Sequence, residues 1–211
     1  MIKTYVLEIE SHSELSSSLR ALCSQNDITA EQEILVQAFT CLTQKTAVAD
    51  IIGAIQTVLP NAKIVGTSTG SWIAGQRYND QHTILQFCIF QHSQIKTLLI
   101  PQCQENLSEL ASLIAQRLVN DDTRLMLLFS SPAIQQAGLL LDELCLLNPD
   151  IVLAGGYSSQ GSTSEPPLQF TEHGITEQGI ALASISSSLR YLLNKYAFGW
   201  NGIGKQLTLT S

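Results

Sequence analysis

The stretch Gly66-Thr67-Ser68-Thr69-Gly70 spells G-x-S-x-G, the pattern of a serine-hydrolase nucleophile elbow. Such an elbow sits on a sharp strand-to-helix turn, with the helix aiming its amino end at the developing oxyanion. The residues after Gly70, SWIAGQRYNDQHT, contain a further glycine, a Tyr-Asn-Asp turn cluster and no apolar stripe at helical spacing. They read as a loop or hairpin. Ser68, Asp142 and His173 follow the hydrolase chain order of nucleophile, acid and base, yet Asp142 falls inside a predicted helix. Two other readings stand beside the nucleophile. Gly66 and Gly70 permit a tight turn, or they let a ligand approach the backbone while Thr67, Ser68 and Thr69 offer hydroxyls that donate or accept. Gly155, Gly156, Tyr157, Ser158 and Ser159 repeat that chemistry later in the chain. Two such loops brought together make a site rich in neutral donors and without an evident base. That site suits holding a small polar molecule better than transforming it. Trp72 supplies either a flat apolar wall to the site or a buried packing anchor.

Other chemistry has little support. The histidines, His12, His82, His92 and His173, form no H-x-x-x-H pair, so no metal and no cofactor is expected. The five cysteines occur at 23, 41, 88, 103 and 145, with no C-x-x-C spacing. Cys23, Cys41, Cys88 and Cys145 lie within apolar patterns, and the set reads as buried free thiols of a reducing compartment. With 18 acidic against 11 basic residues and a net charge of -7, the chain lacks the basic footprint that nucleic acid or an anionic membrane surface requires. The opening MIKTYVLEIESHSEL has no signal-peptide centre, and no apolar run reaches the roughly 18 residues of a membrane span. A cytoplasmic domain is expected.

The elements that must position the two loops follow from periodicity. Apolar residues make up 45% of 211 positions, ample for a core. Residues 3–9 alternate as a strand. Ser11 and Glu14 have capping-box spacing before a short helix marked by Leu15, Leu19 and Leu22. EILVQAFTC (33–41) is a strand, and Val48, Ile51, Ile52, Ile55 and Leu59 mark a helix stopped by Pro60. AKIVGT, HTILQFCIF and IKTLLIP are three further strands. Asn106 and Glu109 predict a capped helix with Leu107, Leu110, Ala111, Ile114 and Leu118 inward. RLMLLFS is a strand covered on both faces. Ser131-Pro132 reads as a helix start, with Ile134, Ala137, Gly138, Leu141 and Cys145 facing the core and Asn148-Pro149 ending the helix. Strands are expected at DIVLAGGYSS, LQFT, QGIALASI and RYLLNKYAF. Pro166-Pro167 marks a surface connection.

The order of parts recurs: 33–100 and 124–197 both read strand, helix, strand, strand, strand. The expectation is a mixed α/β fold, with partly antiparallel sheets covered by helices and two pseudo-repeated β-α-β-β-β halves (30–104 and 105–204) within one domain. Whether the sheets stack or join edge to edge stays open.

IVGTSTG, LMLLFSS, VLAGGYSS and FGWNGIG resemble, in order and spacing, the N-terminal half of the FIST domain. Gly66, Thr67, Ser68 and Thr69 match its first motif, Gly155, Gly156 and Ser158 the second, and Gly199, Trp200, Ile203 and Gly204 the third. The resemblance covers the chain from about EILVQAF onward. Where the family pattern has glycine and then glutamate, this chain has Ser71 and Trp72, so a specificity resting on that carboxylate does not carry over. The sequence stops at KQLTLTS, where the family's C-terminal half would begin. The resemblance implies a bacterial sensory input domain that binds a small ligand, an amino acid being one candidate, and passes the signal to a downstream output domain. A serine hydrolase using Ser68 and a protein-interaction module with an uncovered sheet edge are the alternatives.

Overall fold

The computed structural model describes residues 2–10, 14–74, 76–102, 106–134, 137–159 and 165–188. The strand expected around RYLLNKYAF, the FGWNGIG motif, Cys103 and the Ser11 cap lie outside the described residues. Among the described residues, twelve strands and four helices follow the chain in the order β1 (Ile2–Ile9), α1 (Leu15–Asn26), β2 (Glu33–Thr40), α2 (Lys45–Val58), β3 (Lys63–Ser68), β4 (Trp72–Ala74), β5 (Arg77–Asn79), β6 (Thr83–Phe90), β7 (Ser93–Ile100), α3 (Leu107–Leu118), β8 (Thr123–Ser130), α4 (Ala137–Leu147), β9 (Val152–Tyr157), β10 (Gln169–Thr171), β11 (Gly174–Thr176) and β12 (Ile180–Ser187).

The strands form a six-stranded sheet β1-β6-β2-β3-β10-β11, a four-stranded sheet β7-β12-β8-β9 and the separate hairpin β4-β5. Both large sheets are mixed: β2 and β8 run parallel to β3 and β9, and the remaining pairs are antiparallel. The α/β class with mixed, partly antiparallel sheets is as the sequence implies. The first four strands of the larger sheet, β1-β6-β2-β3, follow the same path as β7-β12-β8-β9. In each, a helix precedes the second strand and another links it to the third. The hairpins break the correspondence, because β10 pairs with β3 and so extends the other sheet.

The two sheets stack face to face. Alternation along the strands requires it, since period two sends neighbouring side chains to opposite faces. On β2, Ile34, Val36 and Ala38 pack with α1 and α2, whereas Leu35 faces Val65, Cys88, Leu127, Phe129 and Ala181 between the sheets. On β8, Met126 and Leu128 face α3 and α4, while Leu127 and Phe129 point to the other sheet. The Phe39 and Phe129 rings meet edge to face at 5.4 Å across that layer. The result is helices, sheet, sheet, helices. β7 touches β2, β3, β10 and β11 in turn, so its sheet crosses the other at a steep angle.

Local signals set several boundaries. Asn106 accepts from the Glu109 amide at 3.3 Å, as its spacing predicted. α1, by contrast, begins at Leu15 with Glu14 in the cap position and no side-chain cap bond. Ser131 also does not start a helix. Its hydroxyl donates to the Glu177 carbonyl at 2.8 Å and accepts from the Ala133 amide, which closes a turn, and α4 begins at Ala137. The face of α4 differs accordingly. Ala137, Leu140 and Leu144 are buried, while Leu141 and Cys145 are exposed. α4 is apolar on nearly every side, so periodicity had no polar face from which to set the phase.

Candidate functional site

β3 and β9 are the third strands of their sheets, and each leaves its sheet one residue past a parallel neighbour. Thr69 donates its amide to the Thr40 carbonyl and Ser158 donates its own to the Ser130 carbonyl, both at 2.8 Å. These equivalent bonds aim both glycine-hydroxyl bends at the same place. There the bends bond directly to each other. Thr67 Oγ1 donates to Ser158 Oγ at 2.7 Å. The Ser159 amide donates to the Ser68 carbonyl at 3.1 Å, and the Gly70 amide to Ser159 Oγ at 3.0 Å. Gln169 Nε2 donates to Ser158 Oγ at 2.8 Å from the β10 side.

The hydroxyls are therefore engaged within the fold. Thr67, Ser68 and Ser158 are buried. Ser68 Oγ accepts from the Leu168 amide at 2.7 Å and donates to the Ser159 carbonyl at 3.2 Å. Among the described residues, neither an imidazole nor a carboxylate is one of its partners. The chain leaves Ser68 into the β4-β5 hairpin, so no helix follows it as a nucleophile elbow requires. Asp142 lies on α4. His173 Nε2 lies 3.4 Å from Glu172 Oε1, a carboxylate that also accepts from Thr97 Oγ1 and from the Ile64 amide and faces Lys63. This group holds the β10-β11 hairpin against β3.

The glycines have separate physical reasons. A side chain at Gly66 would sit 2.3 Å from the Phe170 ring, so the position is empty for packing. Gly155 has φ +141°, and a Cβ there would lie 1.8 Å from the Leu128 carbonyl oxygen. Only glycine fits such a backbone. Gly156 has open space beside it. Trp72 is buried, with its indole N–H on the His82 carbonyl at 3.1 Å, and anchors the β4-β5 hairpin.

Open volume lies on the outer side of the second bend. A groove of about 320 Å³ runs between α4 and β9, lined by Ser130, Ala137, Gly138, Leu141, Leu153 and the Gly155–Tyr157 segment among others. Of the expected binding residues, Gly155, Gly156 and Tyr157 line it, and Ser158 follows at its end. Gly66, Thr67, Ser68 and Thr69 stand behind it as the support to which Ser158 is bonded. Ala137, Gly138 and Leu141 are groove residues that periodicity assigned to the core, and of these Gly138 and Leu141 are exposed. The signal for them was the lack of a polar face on α4. The groove carries apolar walls, the Ser130 and Tyr157 hydroxyls and the edge backbone of β9. Such a lining matches a mostly apolar body with a few hydrogen-bonding groups.

Three of the thiols, Cys23, Cys41 and Cys88, are made poorer nucleophiles by burial. Burial raises Cys88 above the usual thiol range, against opposing hydrogen bonds from Gln37, Thr4 and Gln86. Burial, and then the Asp80 charge, raises Cys41, and burial raises Cys23. Glu8, Glu10 and His82 bring ligand-type atoms within 4.8 Å of one another. Arg77 already neutralises Glu8 at 2.9 Å, however, and Asn79 Nδ2 occupies His82 Nδ1 at 2.9 Å. The group works as a latch from the β4-β5 hairpin to β1.

No curated protein matches the chain. Among matching solved structures is one described as a cyanuric acid hydrolase from A. caulinodans, at 9% identity and TM-score 0.41, with 96% of this chain and 69% of that one covered. A likeness that weak carries no argument about chemistry. The FIST N domain profile matches residues 34–211, a span that contains both bends, the groove and the whole stack of sheets from β2 onward. The chain belongs to the FIST N domain family.

Proposed function

We propose that this chain is a sensory input domain that binds a small metabolite in the α4-β9 groove and releases it unchanged. The FIST family is one of sensory domains. The observation that carries the reading is the position of the groove. Its Gly155–Tyr157 wall leads directly into Ser158, which is bonded to Thr67 of the opposite sheet. A guest seated there bears on the junction of the two sheets, which suits a domain that reports occupancy. Apolar walls beside an edge backbone suit an amino acid or a related metabolite, with its side chain between Leu141 and Leu153 and its polar end on β9. The path of β1-β6-β2-β3 repeated in β7-β12-β8-β9 supports an origin by duplication, with the two bends as counterparts. We place the domain in the cytoplasm of a bacterial signalling protein, ahead of an output domain. Free thiols at Cys23, Cys41, Cys88 and Cys145 support a reducing compartment. No helix among the described residues is long and apolar enough to cross a membrane.

The test is a thermal-shift screen of the twenty amino acids and related metabolites. A ligand about 100-fold above its Kd adds about 2.7 kcal/mol, or about 5–10 °C for a chain of this size. Leu141→Trp fills the groove and removes the shift. If no compound stabilises the chain, or if the shift survives Leu141→Trp, the reading is wrong.

A further inference from the structure

We infer that His82 makes the β4-β5 latch sensitive to pH: with Nδ1 bare it holds the hairpin through Asn79, and with Nδ1 protonated it turns to Glu8 and loosens the hairpin. The first observation is the direction of one amide. Asn79 Oδ1 accepts from the Gln81 and His82 backbone amides at 2.8 and 2.9 Å. Those two bonds fix the carbonyl end of the side chain. The Nδ2 end therefore faces the His82 ring, 2.9 Å from Nδ1. An amide nitrogen only donates, so Nδ1 accepts, and the ring is neutral with its proton on Nε2.

The second observation is the charge around that ring. From the β1 side, Glu8 Oε1 lies 3.7 Å from Nδ1, and Glu8, Glu10 and His82 bring ligand-type atoms within 4.8 Å of one another. From β5, Arg77 holds Glu8 Oε2 at 2.9 Å. Asp80, in the turn between β5 and β6, acts on Cys41, and β4 carries no charge. An imidazole is the side chain that changes charge between about pH 5 and 8. Once protonated, Nδ1 and Asn79 Nδ2 oppose each other as two donors. Asn79 cannot turn its amide over without giving up two backbone bonds. The ring is the part that moves, and Glu8 Oε1 is the acceptor beside it.

What loosens follows from what holds the hairpin. Asn79 Nδ2 also donates to Glu8 Oε1 at 3.5 Å. A protonated His82 takes that oxygen too, so Asn79 loses its ring partner, and Asn79 and Arg77 must share Glu8 with a new cation. The Trp72 indole remains on the His82 carbonyl at 3.1 Å and keeps the β4 end attached. β4 opens two residues after Gly70, so the change is delivered beside the first bend. The latch stands without the small-ligand reading, and the test uses no small molecule.

The full chain is used throughout. Long-range nitrogen–proton NMR spectra of the His82 ring at about pH 7.5 are expected to show the proton on Nε2. Amide exchange in Trp72–Ala74 and Arg77–Asn79, corrected for the intrinsic effect of pH, is expected to be about fivefold faster at about pH 5.5 than at about pH 7.5, as one lost hydrogen bond implies. Val65 and Leu127, in the layer between the sheets, should show no such change. His82→Asn puts a carbonyl oxygen where Nδ1 stood, an acceptor that takes no proton, and should remove the difference. Asn79→Asp puts an acceptor opposite Nδ1 and should reverse it, the acid form now being the one held. A proton on Nδ1 at the higher pH overturns the proposal. So do equal exchange at the two pH values, a difference that His82→Asn leaves in place, and an Asn79→Asp chain that still loosens in acid.

Discussion

Thr67 and Ser158, 91 positions apart, share a hydrogen bond of 2.7 Å that joins the end of β3 in one sheet to the residue after β9 in the other. Both side chains are buried. The bond closes the open end of the sheet stack, and Gln169 braces it from β10. The hydroxyls of both bends therefore serve the fold first and any guest through it.

Removing either partner leaves buried polar atoms short of a bond, at a cost of about 1–3 kcal/mol. Thr67→Val and Ser158→Ala should each lose that much in urea unfolding. The double variant should lose less than the sum, because the two changes remove one shared interaction. Strict additivity would mean that the contact contributes nothing.

The adjacent glycines of β9 should behave oppositely. Gly155→Ala forces a Cβ onto the Leu128 carbonyl at a φ of +141° and should cost at least about 3 kcal/mol. Gly156→Ala meets nothing within 4 Å and should stay within about 0.5 kcal/mol of the parent. Comparable Tm values for the two variants would refute the backbone geometry assigned to this edge.

Ser68→Ala should behave as a structural variant. The Leu168 amide loses its acceptor, so stability should fall by about 1–3 kcal/mol. A fluorophosphonate probe should leave the parent chain unlabelled, since Ser68 is 1% exposed and has no base among its bonding partners. Labelling that Ser68→Ala abolishes would reinstate the nucleophile.

Cys88 gives a pH signature with a defined sign. Its thiol is raised above an ordinary value of 9.0, mainly by burial. The folded state therefore holds the proton after the unfolded chain has released it. This contribution to stability is fully present below about pH 9 and is lost as pH rises through the higher folded value. Cys88→Ala should flatten that alkaline decline in urea titrations from pH 7 to 10.5. A decline identical in both proteins would show that the thiol does not contribute.

How much was legible in the residues depends on whether local chemistry had a unique answer. β2, β3, β6, β8 and β12 are apolar runs buried on both faces, and α2 and α3 carry single apolar stripes, so period alone identified them. Asn106 could be read because its cap bond involves only the first turn. Ser131-Pro132 offered the same local signal, but the Glu177 carbonyl competed for the hydroxyl, and a partner 46 positions away is invisible to spacing. α4 is apolar on almost all sides, so only packing against β8 and β9 decides that Leu140 and Leu144 turn inward and Leu141 outward. The sequence by itself determined two glycine-hydroxyl bends, each following an apolar strand, because glycine conformations and hydroxyl donors are properties of single residues. Only the tertiary structure decided that the bends bond to each other and that the open volume lies beyond them against α4. That outcome depends on how two sheets stack, and stacking is set by the summed packing of side chains far apart in the chain.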